Sequence, residues 1–153
     1  LEFARKLGET VPREQKRAAL TKSQLPDAME LLDVDLNTRI YEPWGEGMKG
    51  GGSSDVADVA WNMPTQQFST VSFVLGAPGH SWQHVAASGT SIGEKSSVFA
   101  SKVMATTTLD LLMNPDLLQK AKDEWAERMK GRTYKSPLPE DLEPPLDQLE
   151  EQH

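Results

Sequence analysis

Helix-capping residues and the spacing of hydrophobic positions predict several helical segments in the chain. Some begin at a capping residue or a proline, and in residues 114–131 the apolar residues recur on one face. These predicted helices cover residues 1–7, 10–21, 26–32, 55–61, 91–113 and 114–131. In the longest of them, Ser91 and Glu94 have the spacing of a capping box. Its apolar residues lie on most sides, so the pattern predicts that this helix is buried.

One segment has the composition of a buried β-strand. Residues 70–75, Thr-Val-Ser-Phe-Val-Leu, are rich in β-branched and aromatic side chains. Gly76 and Pro78-Gly79 end the run, and His80 follows at once. The order helix, strand, helix predicts an α/β fold. A single strand cannot form a sheet, so its neighbours are expected in a part of the protein that lies outside this chain.

Composition and charge narrow the classes of partner. The chain has 153 residues, of which 37% are hydrophobic and 25% charged, as in a globular protein. No apolar run approaches the roughly 20 residues that span a bilayer, so we expect no membrane association. The net charge of −7 argues against nucleic acid as a partner. There is no cysteine, so any metal must be held by His, Asp or Glu, and a cytoplasmic setting is expected.

The glycine-rich segment 45–54 leaves two interpretations open. It is not a phosphate-binding Walker loop, because Lys49 is followed by Gly50 rather than by Ser or Thr. Its backbone N–H groups can form an anion-binding nest at the start of a helix. The alternative is a flexible connector, since glycine-rich loops are common.

Two of the three histidines, His80 and His84, are four residues apart. On one helix this spacing places both imidazoles on the same face, as in His-Glu-x-x-His zinc sites. Position 81 is Ser rather than Glu, and Pro78-Gly79 argues against a helix through His80. A structural loop histidine is the alternative, although residues at strand ends are where α/β folds place their chemistry. No Gly-x-Ser-x-Gly elbow supports a serine hydrolase, and we predict no catalytic residue.

Three linked motifs resemble a known enzyme family. They are residues 51–61 (Gly-Gly-Ser-Ser-Asp-Val-Ala-Asp-Val-Ala-Trp), 75–83 (Leu-Gly-Ala-Pro-Gly-His-Ser-Trp-Gln), and Ser91-Ile92-Gly93 with Lys95. Together they resemble the C-terminal third of the amidohydrolases of the p-aminobenzoyl-glutamate hydrolase family. That family belongs to the aminoacylase and glutamate-carboxypeptidase class of dinuclear metallopeptidases. The resemblance extends from the first helix to a Pro-rich tail that ends near Leu146.

The resemblance implies a fold and a division of the chain. Members of the family have an α/β catalytic domain with a central mixed sheet flanked by helices. We therefore expect residues 1–136 to be the C-terminal part of that domain and residues 137–153 to be an acidic, Pro-rich tail. The family's His-x-Asp motif and its adjacent pair of acidic residues, one of which is the general base, lie in the N-terminal half and are absent from this sequence.

The resemblance also implies site residues. His80 matches the family's late metal-ligating histidine, in a site that holds two ions of zinc or manganese. The loop residues implied to bind substrate are Gly51, Gly52, Ser53 and Ser54. Close relatives usually read Ile-Gly-His-Lys-Gly where residues 92–96 of this chain read Ile-Gly-Glu-Lys-Ser, so Glu94 stands in place of the usual histidine. The capping box with Ser91 is the structural explanation for Glu94.

Two functions of different classes follow. The first is that the chain is the C-terminal fragment of a metal-dependent amidohydrolase that cleaves an amide next to a carboxylate-bearing group, and that it is inactive on its own. The expected substrate is then a small molecule of the p-aminobenzoyl-glutamate or N-acyl amino acid type. The second is a non-catalytic relative or split subunit that acts as a binding or assembly module. In both cases the expected protein partner is the missing N-terminal half or another copy of the chain.

Overall fold

The computed structural model describes residues 1–45, 47 and 54–143. Within these ranges the chain forms six α-helices and one short 3-10 helix. The α-helices are α1 (Glu2–Gly8), α2 (Arg13–Ser23), α3 (Val56–Asn62), α4 (Trp82–Ser88), α5 (Ser91–Met113) and α6 (Pro115–Met129), and the 3-10 helix is Ala28–Leu31. All regular secondary structure in the described part of the chain is therefore helical. The division into residues 1–136 and 137–153 stays a prediction, because residues 144–153 fall outside the described ranges.

The predicted strand at residues 70–75 is wrong, and with it the α/β class and the central mixed sheet. Within the described ranges no residue has strand geometry, and residues 70–75 run as an irregular segment. A strand exists only where another segment pairs with its backbone. Among the described residues, the segment 70–75 makes one backbone hydrogen bond to a distant segment. It runs from the Leu75 N–H to the Asp35 carbonyl at 2.8 Å. The apolar run reflects burial of Val74, which is 0% exposed, rather than membership of a sheet.

The chain divides into two units, residues 1–51 with 67–113 and residues 52–66 with 114–153. The first unit has a buried apolar cluster that joins α1 and the turn after it to α4 and the segment before α4. Its members are Ala4, Leu7, Val11, Val74 and Ala87. The burial of such side chains is the main stabilising contribution in a small unit of this kind.

Helix α4 was not predicted from the sequence. It has seven residues, and Pro78-Gly79 shortly before it argued against a helix in this region. Its start is fixed by Ser81, whose side-chain oxygen accepts a hydrogen bond from the backbone N–H of His84 at 3.4 Å. Serine at this position is a preferred N-cap because it satisfies a backbone donor that has no helical partner.

Ser91 is the first helical residue of α5 rather than its cap. Thr90 precedes the helix, and its hydroxyl oxygen accepts from the N–H of Ile92 at 3.3 Å. The Thr90 carbonyl also accepts from the N–H of Glu94 at 3.1 Å. The predicted capping box with Ser91 as the cap is therefore wrong, and Glu94 is an exposed residue of the first turn.

Gly93 allows α4 and α5 to pack closely. A Cβ atom at this position would lie 2.3 Å from the carbonyl oxygen of Ser88 and 2.7 Å from its Cα. Real Cβ atoms do not approach a backbone so closely, so only glycine fits without moving one helix. This contact explains why a glycine follows Ser91-Ile92 in the third motif.

The expectation that α5 is buried is met only at its first turns. Gly93 and Ser96 are buried, whereas Val98 is 56% exposed and Leu112 is 73% exposed. The first unit therefore leaves much of the apolar surface of this helix exposed. Among the described helices, none has both the length and the apolar character needed to cross a membrane.

The second unit is held together by side-chain contacts between α3 and the region of α6. The indole N–H of Trp125 donates to the Ala60 carbonyl at 2.8 Å. The Tyr134 hydroxyl donates to the Asp58 carboxylate at 2.7 Å. Helix α6 begins as predicted, because the Asn114 side chain accepts from a backbone N–H and caps Pro115–Met129.

Candidate functional site

The loop that leads to His80 begins at a buried residue of the first unit and ends at the surface. Val74 is fully buried, and the next residue, Leu75, donates its N–H to the Asp35 carbonyl. The side-chain amide of Gln15 donates to the Gly76 carbonyl at 3.1 Å. These contacts to two other segments fix the point at which the loop leaves the cluster of buried side chains.

Gly76 makes a close approach that no other residue allows. Its φ is +81°, in the left-handed region, and a Cβ atom there would lie 2.7 Å from the Cα of Lys16. Lys16 is itself buried, and its ammonium lies 3.9 Å from the Asp35 carboxylate. The loop therefore passes directly over α2, and the first glycine of the second motif is needed for that passage.

His80 lies on the surface, just before α4. Its φ is +56°, which is unusual for a residue other than glycine. The following residue, Ser81, is the N-cap of α4, so His80 lies outside the helix. The interpretation that placed His80 and His84 on one face of one helix is therefore wrong. His80 is exposed, so its imidazole is accessible to a ligand or to another protein.

His84 lies in the first turns of α4 and is held against an aromatic ring. Its imidazole stacks on Phe73, with ring centroids 3.9 Å apart and an angle of 25° between the planes. The Nε2 atom is buried and has no hydrogen-bond partner among the described residues. Most buried polar atoms in proteins have such a partner, so this nitrogen is an exception within the described part of the chain.

An open groove with a volume of about 800 Å³ joins the two histidines. Its walls come from the loop before α4, from α4 itself and from the residue that follows it. The lining residues are Gly79, His80, Ser81, His84, Val85, Ser88 and Gly89. The polar side chains of the lining are imidazoles and hydroxyls, and none of the lining residues carries a carboxylate. The Ser81 side chain is engaged as a helix cap, which gives that serine a structural role rather than that of a nucleophile.

The described residues do not by themselves form a metal site. No group of three or more His, Asp or Glu side chains in residues 1–45, 47 and 54–143 is arranged to hold an ion. Zinc in proteins takes three or four such ligands. His80 can supply one nitrogen, and a complete site at this position needs ligands from residues beyond the described ones.

The predicted substrate loop lies mostly outside the described residues. This is the case for Gly51, Gly52 and Ser53. Ser54 is described and exposed, and its hydroxyl accepts a hydrogen bond from the N–H of Val56 at 3.2 Å, at the start of α3. Ser54 therefore stabilises a helix start, and the role of this loop in binding a substrate stays a prediction.

A comparison with curated proteins finds a relative that bears the name expected from the three motifs. Over 92 residues, or 60% of the chain, the sequence is 37% identical to a p-aminobenzoyl-glutamate hydrolase subunit of Escherichia coli (strain K12). The predicted resemblance is thus confirmed for that part of the chain. The match covers 19% of the relative, so the matched part of the chain spans about a fifth of that protein's length.

Two other comparisons gave no match. No protein-family model matches the chain. No solved structure matches it either.

Proposed function

We propose that this chain works as the C-terminal part of a metal-dependent amidohydrolase that cleaves an amide bond next to a carboxylate-bearing group. The observation that carries the proposal is the similarity, at 37% identity over 92 residues, to a protein named as a subunit of p-aminobenzoyl-glutamate hydrolase. The class of substrate proposed from that name is a p-aminobenzoyl-glutamate or a related N-acyl amino acid. A cytoplasmic setting is part of the proposal and agrees with a chain that has no cysteine.

In this proposal His80 is one ligand of a site for two divalent ions, zinc or manganese. Two features support it: the imidazole is exposed, and its loop is anchored by Leu75 and Gly76 to the buried part of the first unit. Neutral imidazole is a common ligand of divalent transition metals in proteins. The remaining ligands come from the rest of the polypeptide or from a second chain.

The loop of Gly51, Gly52, Ser53 and Ser54 is proposed to bind the carboxylate of the substrate. A run of glycine and serine N–H groups before α3 can bond an anion without a nearby cation. The net charge of −7 makes such neutral donors more important, because an anionic substrate is repelled by the chain as a whole.

The proposal is tested by changing His80 to Ala in the complete hydrolase and measuring its metal content and activity. Loss of one ligand is expected to weaken metal binding by about tenfold or more and to lower activity accordingly. His84→Ala is the matched control, because His84 packs against Phe73 and is expected to matter much less. Unchanged metal content and activity in His80→Ala would contradict the proposed role.

The second candidate function is a non-catalytic binding or assembly module. The exposed apolar surface of α5 favours this alternative, because such surfaces mark sites of protein association. The reading frame upstream of Leu1 separates the two candidates. A His-x-Asp motif and a pair of adjacent glutamates in that frame support the hydrolase, and their absence from the whole gene supports the module.

A further inference from the structure

The loop that carries His80 is short, and both of its ends are held by the first unit. We call residues 77–80 the His80 loop. It starts after Gly76, which passes over α2, and it ends at Ser81, which caps α4. Pro78 restricts the loop further, because the proline ring locks its own φ angle. As long as both ends stay in place, few conformations are open to this loop.

The backbone of His80 depends on this restriction. Its φ of +56° lies in the left-handed region, which residues with a Cβ atom rarely adopt. Such a conformation costs energy and persists only where the surrounding structure imposes it. Release of either end of the His80 loop would let this residue return to a common backbone conformation, and the imidazole would move with it.

The end of the loop at α4 is fixed by several contacts. The Ser81 side chain caps the helix by accepting from the N–H of His84. Gln83 is buried, and its side-chain amide donates to the Thr10 hydroxyl at 3.4 Å. Ala87, one turn further along, is fully buried in the apolar cluster of the first unit. This end therefore does not rely on any single side chain.

The end of the loop at Gly76 is held by a side-chain hydrogen bond. The amide of Gln15, on α2, donates to the Gly76 carbonyl at 3.1 Å, and this contact is partly buried. The next residue, Ala77, donates its N–H to the Val74 carbonyl at 3.3 Å and closes a turn. Because the Gly76 carbonyl lies between this turn and the His80 loop, the bond from Gln15 sets the direction in which the loop leaves α2.

We infer that Gln15 is a positioning residue for His80. By holding the Gly76 carbonyl, Gln15 fixes the start of the His80 loop and thereby the place of the imidazole. The inference rests on the proposed function, in which His80 is a metal ligand. Gln15 does not touch the ion and acts only through the loop. A ligand that moves by more than about 0.5 Å from its productive place binds less well, so this bond should affect metal affinity.

The test replaces Gln15 by Met in the complete hydrolase. Methionine has a similar length and a similar helix propensity, but it has no amide to donate. We expect the dissociation constant for zinc, measured by competition with a chelator, to rise about two- to tenfold, as for the loss of one hydrogen bond. With saturating Co²⁺ in place of zinc, the visible absorption spectrum should change, because it reports the arrangement of the ligands. Gln15→Ala removes the same donor and should give the same results.

A second measurement needs neither metal nor activity. In the metal-free hydrolase, the amides of residues 77, 79 and 80 should exchange hydrogen about two- to tenfold faster in Gln15→Met. Thr21→Ala is the matched control on the same helix, because the Thr21 hydroxyl donates to the Arg17 carbonyl within α2 and not to the loop. This control should leave the zinc dissociation constant, the Co²⁺ spectrum and the exchange of the loop unchanged.

His80→Ala, measured in the same series, separates this inference from the proposed function. If His80→Ala weakens zinc binding and Gln15→Met does not, the positioning role is wrong and the proposed function stands. If Gln15→Met and Thr21→Ala weaken zinc binding equally, Gln15 supports only the fold, and the positioning role is again wrong. If His80→Ala leaves zinc binding unchanged, the proposed function fails and Gln15 has no ligand to position.

Discussion

The two units of this chain are held together by different kinds of interaction. In the first unit, apolar side chains from α1, the segment before α4 and α4 itself form a buried cluster. In the second unit, neither α3 nor α6 has a buried residue. Its helices are joined by hydrogen bonds from Trp125 and Tyr134 and by the guanidinium of Arg132, which lies 5.2 Å from the centre of the Trp61 ring.

This difference predicts how much a mutation in each unit lowers the stability of the chain. Burial of a full aliphatic side chain contributes more than a partly exposed hydrogen bond or cation–π contact. The first unit, which carries His80 and its groove, should therefore be the more stable of the two. The second unit should unfold first, and changes in it should have smaller effects on the whole chain.

The largest effect is expected from Leu7→Ala in the buried cluster. Leu7 is 4% exposed, so its truncation removes packing and leaves a cavity. We expect the free energy of unfolding to fall by about 2–5 kcal/mol, measured by urea denaturation. Leu1→Ala is the matched control, because Leu1 is 97% exposed and its removal should change stability little. Equal effects of the two changes would show that the cluster does not stabilise the first unit.

A somewhat smaller effect is expected from Gly93→Ala at the contact between α4 and α5. Alanine normally favours a helix over glycine by about 1 kcal/mol. Here its Cβ would meet the Ser88 backbone, so we expect a net loss of roughly 1–3 kcal/mol in the free energy of unfolding. Gly79→Ala has open space around it and should be nearly neutral. A Gly93→Ala variant as stable as the unaltered chain would rule out this close contact.

The smallest effect is expected from Tyr134→Phe in the second unit. Hydrogen bonding to the Asp58 carboxylate, together with desolvation, raises the pKa of the Tyr134 hydroxyl above its usual value. A group whose pKa is raised on folding adds stability below its unfolded pKa and loses that contribution as the pH rises through the folded pKa. Tyr134→Phe should therefore lower Tm slightly near neutral pH and not at all above the pH at which Tyr134 ionises. The same difference in Tm at both pH values would contradict the role of this bond.

The sequence predicted the elements whose determinants are local. Helices α5 and α6 are long enough to show a period, and Asn114-Pro115 marks the start of the second. The position of His80 on a loop after an apolar segment was also correct. Local signals fix these features, because a cap or a helical face requires only nearby residues.

The features that the sequence did not predict depend on distant partners. Residues 70–75 have strand-like composition, but whether a strand forms depends on what pairs with it, and here Val74 packs among helices instead. The stacking of His84 on Phe73 and the passage of Gly76 over Lys16 join residues that are far apart in sequence or lie in different elements. No periodic pattern carries such contacts.

We propose above that this chain is the C-terminal part of a larger hydrolase, and from this we predict that it cannot carry out hydrolysis alone. The most direct measurement is an assay of the purified chain with p-aminobenzoyl-glutamate and added zinc or manganese, with its sedimentation recorded on the same sample. This class of hydrolysis requires a metal held by several ligands and a carboxylate base, and the described residues offer His80 without such a set. We predict no turnover above the rate of the metal ions alone. Metal-dependent turnover by a compact monomer would contradict the claim.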